Sequence, residues 1–131
     1  MTVMSHQNQM KLLKKVMKIV AIKFKKEFYP LIRSGVKTQT LRRPSGRADV
    51  VPGDFAVCVF EDCPEKIFIT ITDVGYKMWK TLNAEDARRE GFNSVDDLKK
   101  CLLKIYPDIQ PWDRFYFYCF EVEGNTEKVG E

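Results

Sequence analysis

The stretch Gly35-Val36-Lys37-Thr38-Gln39-Thr40-Leu41-Arg42 decides how the rest of this chain is read. Val36 to Arg42 has an extended, strand-like pattern, and Gly35 after Ser34 is a natural stop for a preceding helix. In a regular strand Lys37 and Thr40 would face opposite sides of a sheet. They converge only if Val36 to Thr40 turns, bulges or starts its strand late, and Gly35 permits such a bend.

Upstream, Lys18 to Phe24 reads as a first strand, with Val20, Ile22 and Phe24 on one face and Ile19, Ala21 and Lys23 on the other. Phe24, Phe28, Leu31 and Ile32 then shift to helical spacing. Pro30 is tolerated only in a helix's first turn, so that helix is short. Downstream, a polar loop from Arg43 to Asp49 leads to the turn Pro52-Gly53-Asp54 and a strand from Phe55 to Phe60. A turn at Asp62 to Glu65 joins this to Lys66 to Val74, where Ile67, Ile69 and Ile71 alternate with Phe68, Thr70 and Thr72, so the pair reads as a hairpin.

Two helices follow. Asn83 caps the first, with Asp86 three positions on and Gly91 closing it. Ser94 caps the second, whose apolar stripe is Val95, Leu98, Leu102 and Ile105 and which Pro107 ends. The last element, Arg114 to Val122, is apolar on both faces and belongs inside a barrel or beneath a helix. Five strands with short helices between them predict a mixed α+β fold.

The bulk numbers narrow the function. At 131 residues the chain fits one domain, expected over residues 17–123 between a basic leader (1–16) and a polar tail (124–131). It is 44% hydrophobic and 12% aromatic, enough for a real core and against wholesale disorder. Lys and Arg exceed Asp and Glu by 22 to 18, and Lys11, Lys14, Lys15, Lys18, Lys23, Lys25 and Lys26 crowd the beginning. Such a run is a phosphate-attracting patch or a solvated leader. Cys58, Cys63, Cys101 and Cys119 form no Cys-x-x-Cys and His6 is the only histidine, so no zinc site and no other cofactor is expected. Four reduced thiols, no signal peptide and no apolar run near the ~20 residues of a membrane span point to a cytoplasmic protein off the membrane, expected as a monomer.

The opening stretch resembles the Gly-x-Lys-Thr-x-Thr-x-Arg signature of ASCH domains, which belong to the PUA-like superfamily. Three further matches come in the family's order: Pro52-Gly53-Asp54 before a strand, Ala87-x-x-Glu90-Gly91-Phe92, and Ile105-Tyr106-Pro107 before the last strand. Together they span roughly Lys18 to Val122. The resemblance implies a PUA-like small β-barrel of about five or six strands, with a cleft between the barrel and its inserted helices. It also implies RNA or a modified nucleoside as ligand. The best-defined enzymes of the family hydrolyse the amide of N(4)-acetylcytidine to cytidine and acetate. Their working residues, carried over position by position, fall on Lys37, Thr40 and Glu90.

That chemistry suits these side chains. Amide hydrolysis needs a nucleophile, a base to activate it and an acid for the departing amine. A threonine hydroxyl serves if a neighbouring base takes its proton. A lysine serves as that base when desolvation lowers its pKa, and Glu90, near the negative end of its helix, is expected to be raised and to donate. Arg42 can grip a carbonyl or phosphate with its fork of donors. Thr38, Arg43 and Arg47 are candidates to extend the binding rim, and Tyr76 and Trp79 to stack on a base.

Each residue also has a plainer reading: Lys37 as an exposed strand-end lysine, Thr40 as a strand residue, Glu90 in a helix-surface ion pair, Tyr76 and Trp79 as covers of the barrel's end. The leader, the Arg-rich loop after Arg42 and an insertion-like Asp108 to Asp113 with Trp112 depart from the compact enzymes and suit polymeric RNA. A non-catalytic RNA-binding module is therefore the alternative function, and a protein-interaction domain a third. The expected core is Phe115, Phe117, Phe120, Ile69, Ile71, Val57 and Leu102.

Overall fold

The structure, a computed structural model, describes residues 19–123, so the leader 1–16 and the tail 124–131 lie outside the described residues. Strand β1 (Val20–Phe24) leads through a 3-10 turn (Lys26–Phe28) into helix α1 (Tyr29–Arg33), whose first turn carries Pro30. Strand β2 (Gln39–Arg42), β3 (Phe55–Phe60) and β4 (Cys63–Met78) follow, then α2 (Ala84–Glu90), α3 (Val95–Ile105) and β5 (Arg114–Val122). The five strands form one sheet in the order β1-β3-β4-β5-β2. The β1–β3 pair is parallel and the other three are antiparallel.

β4 is the element that curls this sheet. Its first half pairs with β3 and its second half with β5 alone, and the register slips between Ile71 and Asp73. A bulge there adds local twist and turns the strand around a corner. The result is a half-barrel with a core on each side. Ile22, Phe24, Ile32, Ala56, Cys58, Phe60, Ile67, Ile69, Ile71, Tyr118 and Phe120 fill one side. Leu41, Leu82, Ala87, Leu98, Leu102 and Phe115 fill the other, beneath α2 and α3. β5 feeds both cores, which is why it is apolar on both faces. The two edge strands do not ladder together; the Arg42 side chain crosses between them, Nη2 donating to the Lys23 carbonyl at 2.7 Å.

Several sequence expectations shift. The hairpin turn is only Glu61 and Asp62, with Asp62 in the left-handed region (φ 54°), so β4 starts at Cys63. With φ positive at Asp62 and not at Glu61, the turn is not one of the primed types, and the strand register shifts beside it, between Val59 and Phe60. Val57 is half-buried and Ala56 and Cys58 take its inward place. Phe117 is also half-buried, against the second core. Ile105, at the end of α3, is exposed and leaves the helix's buried face to Leu98 and Leu102. No described helix is long and apolar enough to cross a membrane.

At Gly75 the sheet needs glycine for space. A Cβ there would stand 2.6 Å from Cε2 of Phe117, its cross-strand partner. Gly75→Ala is expected to displace that ring and lower stability by about 1–3 kcal/mol, read from the urea midpoint. An unchanged midpoint would mean that the ring moves freely.

Candidate functional site

β2 begins late. Before it, Lys37 N donates to the Leu31 carbonyl at 2.9 Å and Thr38 N to the Arg89 carbonyl at 2.7 Å, so residues 36–38 are docked on the ends of α1 and α2 and lie outside the regular strand. This is the irregularity that the spacing of Lys37 and Thr40 requires. From the other direction, α2 starts with a full capping box: Asn83 and Asp86 each receive the other's backbone N–H, at 3.0 and 3.1 Å. It ends at Gly91 in the left-handed region (φ 92°), a conformation cheap only for glycine. The sharp stop leaves both the carboxylate and the carbonyl of Glu90 facing Lys37.

The two side chains form a buried ion pair, each only 4% exposed, with Nζ donating to Oε1 at 2.9 Å and more loosely to the Glu90 carbonyl at 3.4 Å. Lys37 Nζ also lies 4.9 Å above the Phe28 ring. Burial pushes the Glu90 carboxyl up, against the pull of Lys37, of a weaker contact from the Gln39 amide, and of Arg42. The cause is desolvation more than the helix terminus. Among the described residues Glu90 Oε2 has no hydrogen bond of normal geometry.

Thr40 is buried on β2, and Arg42 shares its face two residues on. Arg42 Nε donates to Thr40 Oγ1 at 3.1 Å while its guanidinium stacks 4.7 Å from the Phe24 ring. Burial draws Arg42 below its ordinary value, but guanidinium remains charged. A hydroxyl oxygen that accepts from a cation keeps its own proton to give away, and the same cation steadies the alkoxide left behind.

Lys37, Thr40, Arg42 and Glu90 all line one cavity of about 530 Å³, in the gap between the sheet's edge strands. Its opposite wall is the α3 face of Leu98, Cys101, Leu102 and Ile105, with Lys23 and Lys25 also on its lining. That volume suits a small organic ligand. Cys101 is the thiol in the wall, and burial raises it, as burial pushes Cys58 up to about 12. A thiol held protonated is a poor nucleophile.

The remaining candidates lie elsewhere. Thr38 borders a smaller depression with Gly35, Phe120, Glu121 and Val122. Arg43 pairs with Asp108 at 3.0 Å and Asp113 at 3.7 Å and stacks on Tyr106, which fastens β2 to the loop before β5. Arg47 lies over Tyr116. Tyr76 is exposed beneath Arg114, and Trp79 packs on Phe115 with Lys99 above it. None of these lines the cavity. Three residues around the site went unread in the sequence: Gln39, Asp86 as a buried acid, and Lys77, whose ammonium pairs with Asp86. Asp86 carried only a capping signal, and the others carried none.

A curled five-strand sheet with a cleft between its open edges and its helices defines a small α+β half-barrel. No family model and no curated protein matches the chain. Among solved structures, an ASCH domain of Lactobacillus crispatus matches with TM-score 0.66 at 16% identity, covering 91% of this chain and 95% of that one. A protein of Enterococcus faecalis assigned to family DUF984 matches at 0.62 and 17%, covering 88% and 89%. A point mutant of the ASCH protein of Zymomonas mobilis matches at 0.57 and 17%, covering 77% and 66%. At these identities the likeness is one of fold, and the fold is that of ASCH domains.

Proposed function

We propose that the cleft takes a modified nucleoside and hydrolyses its exocyclic amide, with N(4)-acetylcytidine as substrate and cytidine and acetate as products. The observation that carries this is the buried Lys37–Glu90 pair in the same cavity as a Thr40 hydroxyl that accepts from Arg42. One proton passing from Nζ to Oε1 converts the ion pair into a neutral amine beside a carboxylic acid. That couple is the base and acid which amide hydrolysis requires. Burial, which disfavours separated charge, lowers the cost of the neutral form.

In the first step Thr40 Oγ1 attacks the amide carbonyl and its proton goes to Lys37. Glu90 then protonates the departing exocyclic nitrogen, releasing cytidine and leaving an acetyl ester on Thr40. Water attacks that ester, giving a proton to Glu90 while Lys37 returns one to Thr40 Oγ1, and acetate leaves. Arg42 balances the negative charge that builds on oxygen. The test is acetate release from N(4)-acetylcytidine by the purified chain; the absence of turnover would remove this reading.

The non-catalytic RNA-binding alternative would use Arg42, Arg43 and Arg47 on phosphates. Against it, the Arg43 fork is held by two aspartates and Arg42 is engaged by Thr40 and the Lys23 carbonyl. It would show as RNA affinity falling steeply with salt.

A further inference from the structure

We infer that Gln39 is a positioning residue, a neutral amide that ties the Glu90 carboxylate to a second charge pair, the buried Asp86 with the half-exposed Lys77, on the side of the site away from Thr40. Its role in catalysis rests on the hydrolytic reading above; its hold on Glu90 does not.

Gln39 is the residue between the two threonines of the opening stretch, and it is fully buried. It faces the helices with Leu41, while Thr40 and Arg42 face the other way. A glutamine with no access to water must have its amide satisfied from inside. Cys119 Sγ, opposite on β5, donates to Gln39 Oε1 at 3.5 Å, and Gln39 Nε2 donates to Asp86 Oδ1 at 3.5 Å. This sets the orientation of the amide, because the carboxylate beside Nε2 can only accept.

Asp86 is itself fully buried and already engaged. Its Oδ1 takes the Lys77 ammonium from β4, and its Oδ2 takes the Asn83 N–H. It sits one helical turn before Glu90, at i and i+4, so the two carboxylates share a face of α2. Two acids so placed would repel across a dry interior. Gln39 hydrogen-bonds Asp86 and bears weakly on Glu90, which makes it the neutral group between the two acids. Its amide has two hydrogens, enough for one to each acid, and Glu90 Oε2 is the oxygen with no firmer partner.

The groups that act on Glu90 come from several elements. Lys37 and Arg42 approach from the β2 segment, Gln39 from β2 itself, Cys101 from α3 and Cys119 from β5. Of these, Lys37, Gln39 and Arg42 favour the carboxylate. A donor to the charged form lowers a carboxyl's pKa, so removing Gln39's amide must move Glu90 upward.

The test is the 13C titration of the Glu90 side-chain carboxyl, assigned with Glu90→Gln, in wild type, Gln39→Met and Lys77→Met. Gln39→Met keeps length and bulk but has no amide, and it is expected to raise the Glu90 midpoint by about one pH unit. Lys77→Met, at the half-exposed far end, is expected to raise it in the same direction by less, because Asp86 then carries an unbalanced charge. If activity is found, the pH limb of kcat should move with the carboxyl while KM stays near its wild-type value, which a merely structural glutamine would not produce. A Glu90 midpoint unmoved in folded Gln39→Met overturns the inference even where turnover is normal. If Gln39→Met does not fold, an unmoved midpoint in Lys77→Met overturns it instead. Loss of acetate release in every form with the carboxyl shift intact would remove the hydrolytic reading and leave the Gln39 link standing.

Discussion

Thr40→Ala is expected to lower kcat for acetate release by at least ~10³-fold with little change in KM, because the hydroxyl is used in the transition state and adds little to ground-state binding. Lys37→Ala should cost a comparable factor, and the double variant should be hardly worse than either. Residues that act as one unit are non-additive, since the first loss already disables the pathway. Thr40→Ser restores a hydroxyl at the same carbon and is expected to recover most of the rate. The isotope pattern of a single turnover checks the covalent step: in H₂18O the label should enter acetate only at the second stage, and an acetyl group should be trapped on Thr40 by acid quench. Activity surviving both alanine substitutions would end the proposal. Survival in Thr40→Ala with loss in Cys101→Ser would move the nucleophile to the thiol, against the burial that keeps Cys101 protonated.

What the sequence disclosed, and what it hid, follows from physics at particular residues. The bounds of β5 were readable because Pro107 and the polar run to Asp113 isolate an unbroken apolar stretch. The caps Asn83 and Ser94 were readable because capping is a local interaction between residues three apart. The irregularity before β2 was legible only through the resemblance, which puts Lys37 and Thr40 in one site and so calls for a turn, a bulge or a late start; the strand starts late, at Gln39. The inward face of β3 was not readable: Phe55-Ala56-Val57-Cys58-Val59-Phe60 is apolar at every position, so alternation gives no parity. Burial went to the small Ala56 and Cys58, although volume alone favoured Val57. Tyr76 and Trp79 left two readings open in the sequence, because an aromatic ring covers a core as well as it stacks on a base. Gln39 was invisible for a different reason. A buried amide has no periodic or compositional mark, and its role depends on Asp86 and Glu90, 47 or more residues away in the chain.

The largest effect on stability is expected from splitting the Lys37–Glu90 pair. Removing one partner of a buried ion pair leaves an uncompensated charge and costs about 3–5 kcal/mol, whereas replacing both by apolar groups is often near neutral. Lys37→Met and Glu90→Leu should each lower the urea midpoint strongly, and the double variant should recover most of the loss, giving a coupling of about 5 kcal/mol or more in a double-mutant cycle. The two single variants should differ in their pH dependence. In Lys37→Met the carboxyl loses its main electrostatic support, so Glu90, already raised by burial, rises further. A carboxyl raised in the folded state adds stability that is fully present below its ordinary value of 4.5 and is lost as pH climbs through the folded value. The deficit of Lys37→Met should therefore be greatest at neutral pH and shrink as pH falls towards 4.5, where the carboxyl is neutral. Glu90→Leu has no such group and should lack that recovery. Equal midpoints for the single and double variants, or a Lys37→Met deficit that grows on acidification, would mean that the pair is solvated in solution. A solvated pair could not shuttle a proton in the way the proposed hydrolysis needs.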